Sequence, residues 1–220
     1  MPTKKPSSAA TIQKVRRAGE IAQAQAFRKE LLARIGFVHG DERLGLVFAD
    51  EYISVHRDPV KFPSGRFGTY LRVDENGLPD RTVGVVVVPR LGDSLLIQEI
   101  YRYPTASWEW EFPRGTAEPG QSLQKTARQE VKEETNLEVA KIRKLGVVKG
   151  NTGLLSGKTV VFLADLKPGA KAKPQADEAI SRFLFLSPAK LLGMAAAGKI
   201  HDSFTLSALL LAITKGDVKG

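Results

Sequence analysis

The sequence predicts a mixed α/β sandwich. Runs with apolar residues at every second position recur along the chain from Val47, and segments with apolar residues at helical spacing lie between and after them. Val85–Val88 is apolar without a break, which is typical of a strand buried on both faces of its sheet. Strands of this kind together with amphipathic helices favour a sheet covered by helices.

The composition excludes several classes of protein. The 220 residues are 42% apolar, which is ordinary for a globular protein, and they include no cysteine. Disulfide frameworks, thiolate zinc sites and a cysteine nucleophile are therefore excluded. No apolar run approaches the length of a membrane span, about 18 residues, and Met1–Ser8 is too polar for a signal peptide. We expect a cytoplasmic protein without membrane contact.

The positive charge is concentrated near the N-terminus. The net charge is +9, and residues 1–40 hold eight lysines and arginines against two glutamates. Such a basic segment can bind nucleic acid. The charges do not alternate with aromatic residues in the way that a stacking platform requires, so we favour a solvated helix face.

The first third of the chain predicts a helix followed by a small sheet. Residues 1–9 are predicted to be a disordered tail. Apolar residues from Thr11 to Ile35 recur at helical spacing. Strands are predicted at Val47–Val55 and Phe67–Val73. Asp58-Pro59 and Asn76-Gly77 are the expected turns, the latter with a sequence typical of hairpins. We divide this part into a basic tail and helix (1–45) and an antiparallel sheet (46–81).

Residues 82–220 predict a larger domain of alternating strands and helices. Ser122 is the expected N-cap of a helix that ends at Thr135, and Leu123, Ala127 and Val131 form its apolar stripe. Leu91-Gly92-Asp93 is an expected turn. Strands are predicted at Thr82–Val88, Leu95–Ile100, Trp108–Phe112, Ile142–Val148, Lys158–Asp165 and Arg182–Leu186, and further helices at Pro188–Ala197 and His201–Thr214.

Three carboxylates on the helix after Ser122 are the strongest chemical signal. Glu130, Glu133 and Glu134 are three and four residues apart, so they project from one side of the helix, where like charges are unfavourable. A hard divalent cation such as Mg²⁺ would make the cluster favourable. Alone, the cluster is more often a solvated acidic helix, but Gly115 begins a glycine-containing turn before it.

This arrangement resembles the Nudix box. The pattern begins with Gly and, further along, Glu. It continues with Arg-Glu, a hydrophobic residue and a pair of Glu, and it ends with Gly and a hydrophobic residue. The residues that fit the pattern in register are Gly115, Glu130, Val131, Glu133, Glu134 and Leu137. The resemblance implies a Nudix α/β/α sandwich with a mixed sheet. The N-terminal helix and the small antiparallel sheet predicted above would precede it.

Three positions depart from the box. Gln121 replaces Glu, Gln129 replaces Arg and Asn136 replaces the last Gly. Asn tolerates the left-handed conformation at a helix C-terminus, so Asn136 is expected to be a benign replacement. The two glutamines together remove one negative and one positive charge, which suggests that a neutral hydrogen bond between them replaces an ion pair.

Segments outside the box resemble the ADP-ribose pyrophosphatase-like branch of the family. They are Val55–Gly65, Val85–Pro89, Tyr101–Pro104, Trp110–Gly115 and Gly198–Leu210. In that branch an N-terminal antiparallel sheet commonly mediates a homodimer. Lys158 departs from the branch, because relatives usually carry an acidic residue there.

The resemblance implies a metal site with oxygen ligands. The metal would be held by Glu130, Glu134, the carbonyl of Arg114 and the loop carboxylate Glu178, and it would be Mg²⁺ or Mn²⁺. Glu133 or Glu178 would accept the proton of the attacking water. A solvated turn is an equal alternative for Glu178 and its neighbour Asp177.

Three residues are candidates for binding the substrate. Arg102 can bind a diphosphate through its planar guanidinium, although a surface ion pair is an equal alternative. Trp110, or alternatively Trp108, can stack on a base, although a core tryptophan is more common. Glu111 is the third candidate. His39, His56 and His201 show no ligand spacing and receive no role.

These residues predict metal-dependent hydrolysis of the diphosphate bond in a nucleoside diphosphate linked to another group, ADP-ribose or a related nucleotide sugar. The alternative is a catalytically weak Nudix-like protein that senses nucleotides or binds nucleic acid. The basic segment and the two glutamines support that alternative, whereas the intact Glu130, Glu133 and Glu134 oppose it.

Overall fold

A computed structural model describes residues 12–34, 43–174 and 179–218. The chain forms two compact units. The first unit lies within residues 1–76 and 151–156, and the second lies within residues 77–150 and 157–220.

The first unit contains a four-stranded antiparallel sheet and one helix. Strand β3 pairs with β4 along one edge and with β1 and β2 along the other. Helix α1 packs on β3 and β4. The elements are β1 (Gln13–Lys14), α1 (Ala18–Arg34), β2 (Gly45–Ala49), β3 (Ile53–Lys61) and β4 (Phe67–Glu75).

The helix predicted from Thr11 is wrong at its start, because α1 begins at Ala18. Gln13 and Lys14 pair with β3 instead, and the Val15 amide donates to the Pro59 carbonyl at 3.0 Å. Thr11 and Ile35 lie outside the described residues. The backbone groups of Gln13, Lys14 and Val15 bond to β3 instead of forming helical hydrogen bonds. The spacing of apolar side chains does not reveal such pairing.

The turns predicted in the first unit are also misplaced. Asp58-Pro59 lies inside β3, where the Pro59 carbonyl still accepts a hydrogen bond. The predicted strand Val47–Val55 is divided by a turn in which Asp50 Oδ1 accepts from the Tyr52 and Ile53 amides, both at 2.8 Å. Asn76-Gly77 does not form a hairpin, because β4 and the next strand belong to different sheets.

The second unit is built on a seven-stranded mixed sheet. Its main order is β11-β6-β5-β10-β9, in which β5 and β10 are parallel and the other pairs are antiparallel. Its strands are β5 (Thr82–Leu91), β6 (Ser94–Arg102), β7 (Ser107–Glu111), β8 (Arg114–Thr116), β9 (Val139–Val148), β10 (Lys158–Leu166) and β11 (Ile180–Leu186).

Helices cover both faces of this sheet, as the sequence predicts. Helix α2 (Leu123–Thr135) shares one core with Val85 and Val87, and α3 (Pro188–Ala196) and α4 (Ser203–Thr214) share the other with Val86 and Val88. The alternation of β5 side chains explains why the run is continuously apolar. The α/β sandwich is therefore confirmed. In the described part of the chain, no helix is long and apolar enough to cross a membrane.

The sheet opens beside α2. A turn at Gly92-Asp93 joins β5 and β6, which pair only through Arg90–Leu95 and Leu91–Ser94. Beyond that point β8 pairs with β5 and β7 pairs with β6. Phe112-Pro113 connects β7 to β8 across the opening, and the Val87 amide donates to the Pro113 carbonyl.

Candidate active site

Helix α2 presents its acidic side chains from a well-anchored position. The Ser122 hydroxyl caps the helix by accepting from the Lys125 amide, and Asn136 ends it with φ 59°. Ala127 and Val131 are fully buried beneath it. The predicted N-cap, left-handed C-cap and apolar stripe are all confirmed, and the helix is held rigidly against the sheet.

Glu130 lies directly over Gly115. A Cβ atom at position 115 would stand 1.9 Å from the carboxyl carbon of Glu130, so any side chain there would displace the carboxylate. Gly84 on the paired strand is similarly restricted, because its Cβ would lie 2.4 Å from the Gly115 carbonyl oxygen. Two glycines thus allow the backbone of β8 to fit between β5 and the Glu130 carboxylate.

Glu134 points into the opening between β5 and β6. It is buried, and its Oε2 accepts a hydrogen bond from Gln98 Nε2 at 2.5 Å. Gln98 lies opposite Glu111 in the β6–β7 ladder. A buried carboxylate, a buried amide and a second buried carboxylate therefore occupy adjoining positions in the second unit.

Glu111 holds two arginines. It is 1% exposed, and its carboxylate accepts hydrogen bonds from Arg102 Nε at 3.1 and 3.0 Å and from Arg102 Nη2 at 2.5 Å. Arg114 reaches the same carboxylate, with Nε 3.2 Å from Oε2. The ion pair that was an equal alternative for Arg102 is therefore present, but its Glu111 partner is buried and not on the surface.

The charge of Arg102 is secured by its surroundings. Burial lowers the pKa of Arg102, but the hydrogen bonds and negative charge of Glu111 outweigh it, with the charges of Glu134 and Asp202 acting in the same direction. The pKa of Arg102 is raised above its ordinary value, so the guanidinium remains a cation for binding phosphate.

A cavity of about 350 Å³ opens beside these groups. Its volume is within the range of ligand pockets, about 300–1,000 Å³. It is lined by Arg102, Pro104, Thr105, Glu109, Glu111, Arg114, His201, Asp202 and Ser203. Two guanidinium groups on its wall suit an anionic ligand, and the carboxylates can accept hydrogen bonds from hydroxyl groups.

The other candidate residues lie in different surroundings. Trp110 does not line this cavity, because it packs against the core beneath α4 with the Arg182 guanidinium 5.0 Å from its ring centroid. Glu133 is exposed, and its Oε1 accepts from Gln129 Nε2 at 3.0 Å. Glu178 and Asp177 lie outside the described residues.

The proposed bond between Gln121 and Gln129 is wrong. Gln121 Nε2 donates to Thr126 Oγ1 at 3.2 Å within the first turn of α2, whereas Gln129 bonds to Glu133. Each glutamine bonds to a side chain a few residues further along the chain. The pair of departures from the box therefore reflects two local substitutions.

Lys158, which departs from the branch and is the first residue of β10, forms an ion pair with Asp80. Its ammonium group lies 2.9 Å from Asp80 Oδ2, and this hydrogen bond is the main cause that lowers the pKa of Asp80 to about 2. Lys158 and Asp80 therefore form an ion pair on the surface of the second unit.

Sequence reasoning missed three groups near the opening. Gln98 could have been noticed as a single amide within the apolar run Leu95–Ile100. Thr205 accepts from the Phe112 amide at 3.0 Å, and no local pattern signals this bond between distant segments. His201, to which the sequence gave no role, lines the cavity with its Nδ1 3.3 Å from Glu109 Oε2.

The residues around Gly115 fit a hard divalent cation. Glu130, Glu134 and the Arg114 carbonyl offer oxygen donors of the kind that Mg²⁺ and Mn²⁺ bind. Gln98 Oε1 is a buried acceptor without a hydrogen-bond partner among the described residues, which suits a site completed by water. No three acidic or histidine side chains in residues 12–34, 43–174 and 179–218 form a complete metal cluster.

Comparison with known proteins identifies the family. The family model of the NUDIX domain matches residues 78–206, more than half of the chain. The chain therefore belongs to the Nudix family, as the box around Glu130 predicts. Nudix hydrolases generally need a divalent metal ion.

Individual relatives agree with this assignment. ADP compounds hydrolase NudE of Escherichia coli (strain K12) is 36% identical over 63 residues, which are 29% of this chain and 34% of that protein. Nudix hydrolase 5 of Arabidopsis thaliana is 30% identical over 80 residues, 36% of this chain and 26% of that protein. The matched segments thus span about a quarter to a third of these relatives.

A solved structure shares the fold. The crystal structure of an ADP compounds hydrolase superimposes with a TM-score of 0.66 at 21% identity, covering 80% of this chain and 93% of that chain. The similarity confirms the Nudix sandwich that the sequence predicts.

Proposed function

We propose that this protein is a metal-dependent Nudix pyrophosphatase that hydrolyses the diphosphate bond of a nucleoside diphosphate linked to another group, with ADP-ribose or a related nucleotide sugar as its substrate. The observation that carries the proposal is the position of Glu130 and Glu134 on α2, with Glu130 against Gly115 and Glu134 in the opening of the sheet. The similarity to ADP compounds hydrolase NudE supports this class of substrate.

The residues divide the chemical work. A Mg²⁺ or Mn²⁺ ion held by Glu130, Glu134, the Arg114 carbonyl and Glu178 would supply a nucleophilic water and neutralise phosphoryl oxygens. Arg102 binds the diphosphate, and Glu111 holds its guanidinium in one orientation. Glu133 or Glu178 takes the proton of the attacking water.

A direct assay tests this function. Purified protein is incubated with ADP-ribose and other nucleotide sugars, with Mg²⁺ or Mn²⁺ or with a chelator, and the released nucleoside monophosphate is measured. We expect hydrolysis only with the metal and its loss in Glu134→Gln, which removes one carboxylate with little change in size. Near-normal turnover by that folded variant would show that the metal site is misplaced. Nucleotide binding without turnover by the natural chain would favour the sensing alternative.

We also propose that the first unit mediates a homodimer. Its sheet and the turn between β2 and β3 expose large apolar side chains that a second copy of this chain could cover: Leu46, Phe48, Tyr52, Tyr70 and Leu71. Val15 is 6% exposed and therefore buried within its own unit, so it is not available to such an interface. Light scattering should give twice the chain mass of 24.0 kDa, and a monomer at working concentration contradicts the assembly.

A further inference from the structure

Gln98 is a polar residue at a position where the fold otherwise places apolar ones. It lies in β6 between Ile97 and Glu99, and its relative exposure is 0%. Leu95, Leu96 and Ile97 before it are also fully buried. A buried amide is unfavourable unless its donor and acceptor atoms are both bonded, so its presence needs a specific partner.

One end of the amide has such a partner. Gln98 Nε2 donates to Glu134 Oε2 at 2.5 Å. An ionised carboxylate can only accept hydrogen bonds, so the amide nitrogen must face Glu134 and the amide oxygen must face away from it. The bond leaves the Glu134 carboxylate with one orientation in the opening of the sheet.

The other end of the amide has no protein partner in the described part of the chain. Gln98 Oε1 is buried and accepts no hydrogen bond there. The neighbouring acidic group, Glu111 across the ladder, already binds Arg102 and Arg114 and has no proton to offer as a carboxylate. A water molecule is the smallest donor that could satisfy this oxygen.

We propose that Gln98 is a positioning residue of the metal site: its Nε2 holds the Glu134 carboxylate in place, and its Oε1 accepts a hydrogen bond from a water bound with the divalent cation. The proposal rests on the proposed function, in which Glu134 is a metal ligand. Mg²⁺ and Mn²⁺ retain water molecules when they bind to few carboxylates, and these waters are hydrogen-bond donors. Outer partners of this kind typically affect metal affinity by about 10–100-fold.

Direct metal binding tests the role without relying on turnover. Gln98→Met keeps the length of the side chain and removes both hydrogen bonds. Gln121→Met is the matched control, because the Gln121 side chain bonds to Thr126 and not to Glu130 or Glu134 among the described residues. Free Mn²⁺ is measured by electron paramagnetic resonance in titrations of the substrate-free full chain. We expect about 10–100-fold weaker Mn²⁺ binding in Gln98→Met and unchanged binding in the control.

A combination with Glu134→Gln separates positioning from general support of the core. If Gln98 acts through Glu134, Gln98→Met should weaken Mn²⁺ binding much less in the Glu134→Gln background than in the natural chain. If Gln98→Met fails to fold, Gln98→Asn replaces it, since that amide is one methylene too short to keep the bond to Glu134.

The outcomes distinguish the two levels of the proposal. If the natural protein and the folded Gln98 variant bind Mn²⁺ equally well, the role of Gln98 is overturned. The proposed function would still stand. Equal weakening in both backgrounds also overturns the role of Gln98, because Gln98 would then act independently of Glu134. Natural protein that neither binds Mn²⁺ nor hydrolyses nucleotide sugars overturns the proposed function and this inference together.

Discussion

Arg114 and Asp202 are 88 residues apart in the chain, and Arg114 Nη1 lies 3.2 Å from Asp202 Oδ1. The second oxygen of Asp202 caps α4 by accepting from the Thr205 amide at 2.8 Å. Thr205 in turn bonds to the Phe112 amide. The start of α4 therefore holds both ends of Phe112-Pro113-Arg114, the segment that crosses the opening of the sheet.

Asp202→Ala should impair the site as well as the helix. The change removes the N-cap of α4 and one anionic partner of Arg114, so we expect about 0.5–2 kcal/mol of lost stability from the cap and a higher KM for the nucleotide sugar. Ser187→Ala removes the corresponding cap of α3 without touching Arg114. Steady-state kinetics and urea unfolding of both variants check this, and an equal rise of KM in Ser187→Ala would contradict it.

Thr205→Val should destabilise the protein. The valine keeps the shape of threonine but leaves the buried Phe112 amide without its acceptor, which costs about 1–3 kcal/mol. Thr214→Val near the other end of α4 is the control, because that hydroxyl is exposed and bonds only to helix carbonyls. The two free energies of unfolding in urea are compared, and similar losses would mean that the Phe112 bond contributes little.

Gly115→Ala should reduce activity more than stability. The new Cβ would collide with the end of the Glu130 side chain, which can rotate away, so the fold is retained while this proposed metal ligand is displaced. We expect at least about tenfold weaker Mn²⁺ binding, similar to other changes that reorient metal ligands. Gly193→Ala, which has open space in α3, should be neutral or stabilising. Unchanged Mn²⁺ binding in Gly115→Ala would contradict the proposed role of Glu130 as a metal ligand.

The Asp58 cluster should make the first unit sensitive to acid. Burial raises the pKa of Asp58, but hydrogen bonds from Lys14 and Arg72 outweigh it and lower the pKa below its ordinary 3.8. As the pH falls through 3.8, the folded state therefore binds fewer protons than the unfolded state. The stabilisation that the ionised Asp58 carboxylate contributes is lost when the pH falls below the pKa of Asp58 in the folded state. The stability difference between the natural protein and Asp58→Asn should shrink as the pH is lowered. Urea unfolding between about pH 6 and pH 3 measures it, with exposed Asp93→Asn as the charge control.

Gln121→Glu and Gln129→Arg should act independently. Because Gln121 bonds to Thr126 and Gln129 to Glu133, the double variant should equal the sum of the single ones within about 0.5 kcal/mol. A double-mutant cycle by urea unfolding checks this. A larger coupling would show that the two side chains interact after all.

Local signals in the sequence were sufficient for the helix that carries the site. Ser122, the apolar stripe and Asn136 each act within a few residues, so α2 was predicted at both ends and Glu130 and Glu134 were placed on it. The family pattern also identified Gly115, but the sequence did not show that its missing side chain makes room for Glu130.

Contacts between distant segments were not predictable in this way. The start of α1 was wrong because Gln13 and Lys14 pair with β3, far along the chain. The bond between Phe112 and Thr205 and the approach of Gln98 to Glu134 depend on how strands and helices pack together. Periodicity describes one element at a time and contains no information about such partners.

The buried amide of β6 also has a consequence for how the chain finds its native sheet. Successive strand residues face opposite sides, so a shift of β6 by one position would turn Gln98 toward the apolar core under α4 and bring Ile97 toward Glu134. Both exchanges are unfavourable. The first would bury the polar Gln98 amide among apolar side chains, and the second would remove the hydrogen-bond donor of the Glu134 carboxylate. A single glutamine thus penalises slipped pairings during folding and helps the chain to select one sheet alignment.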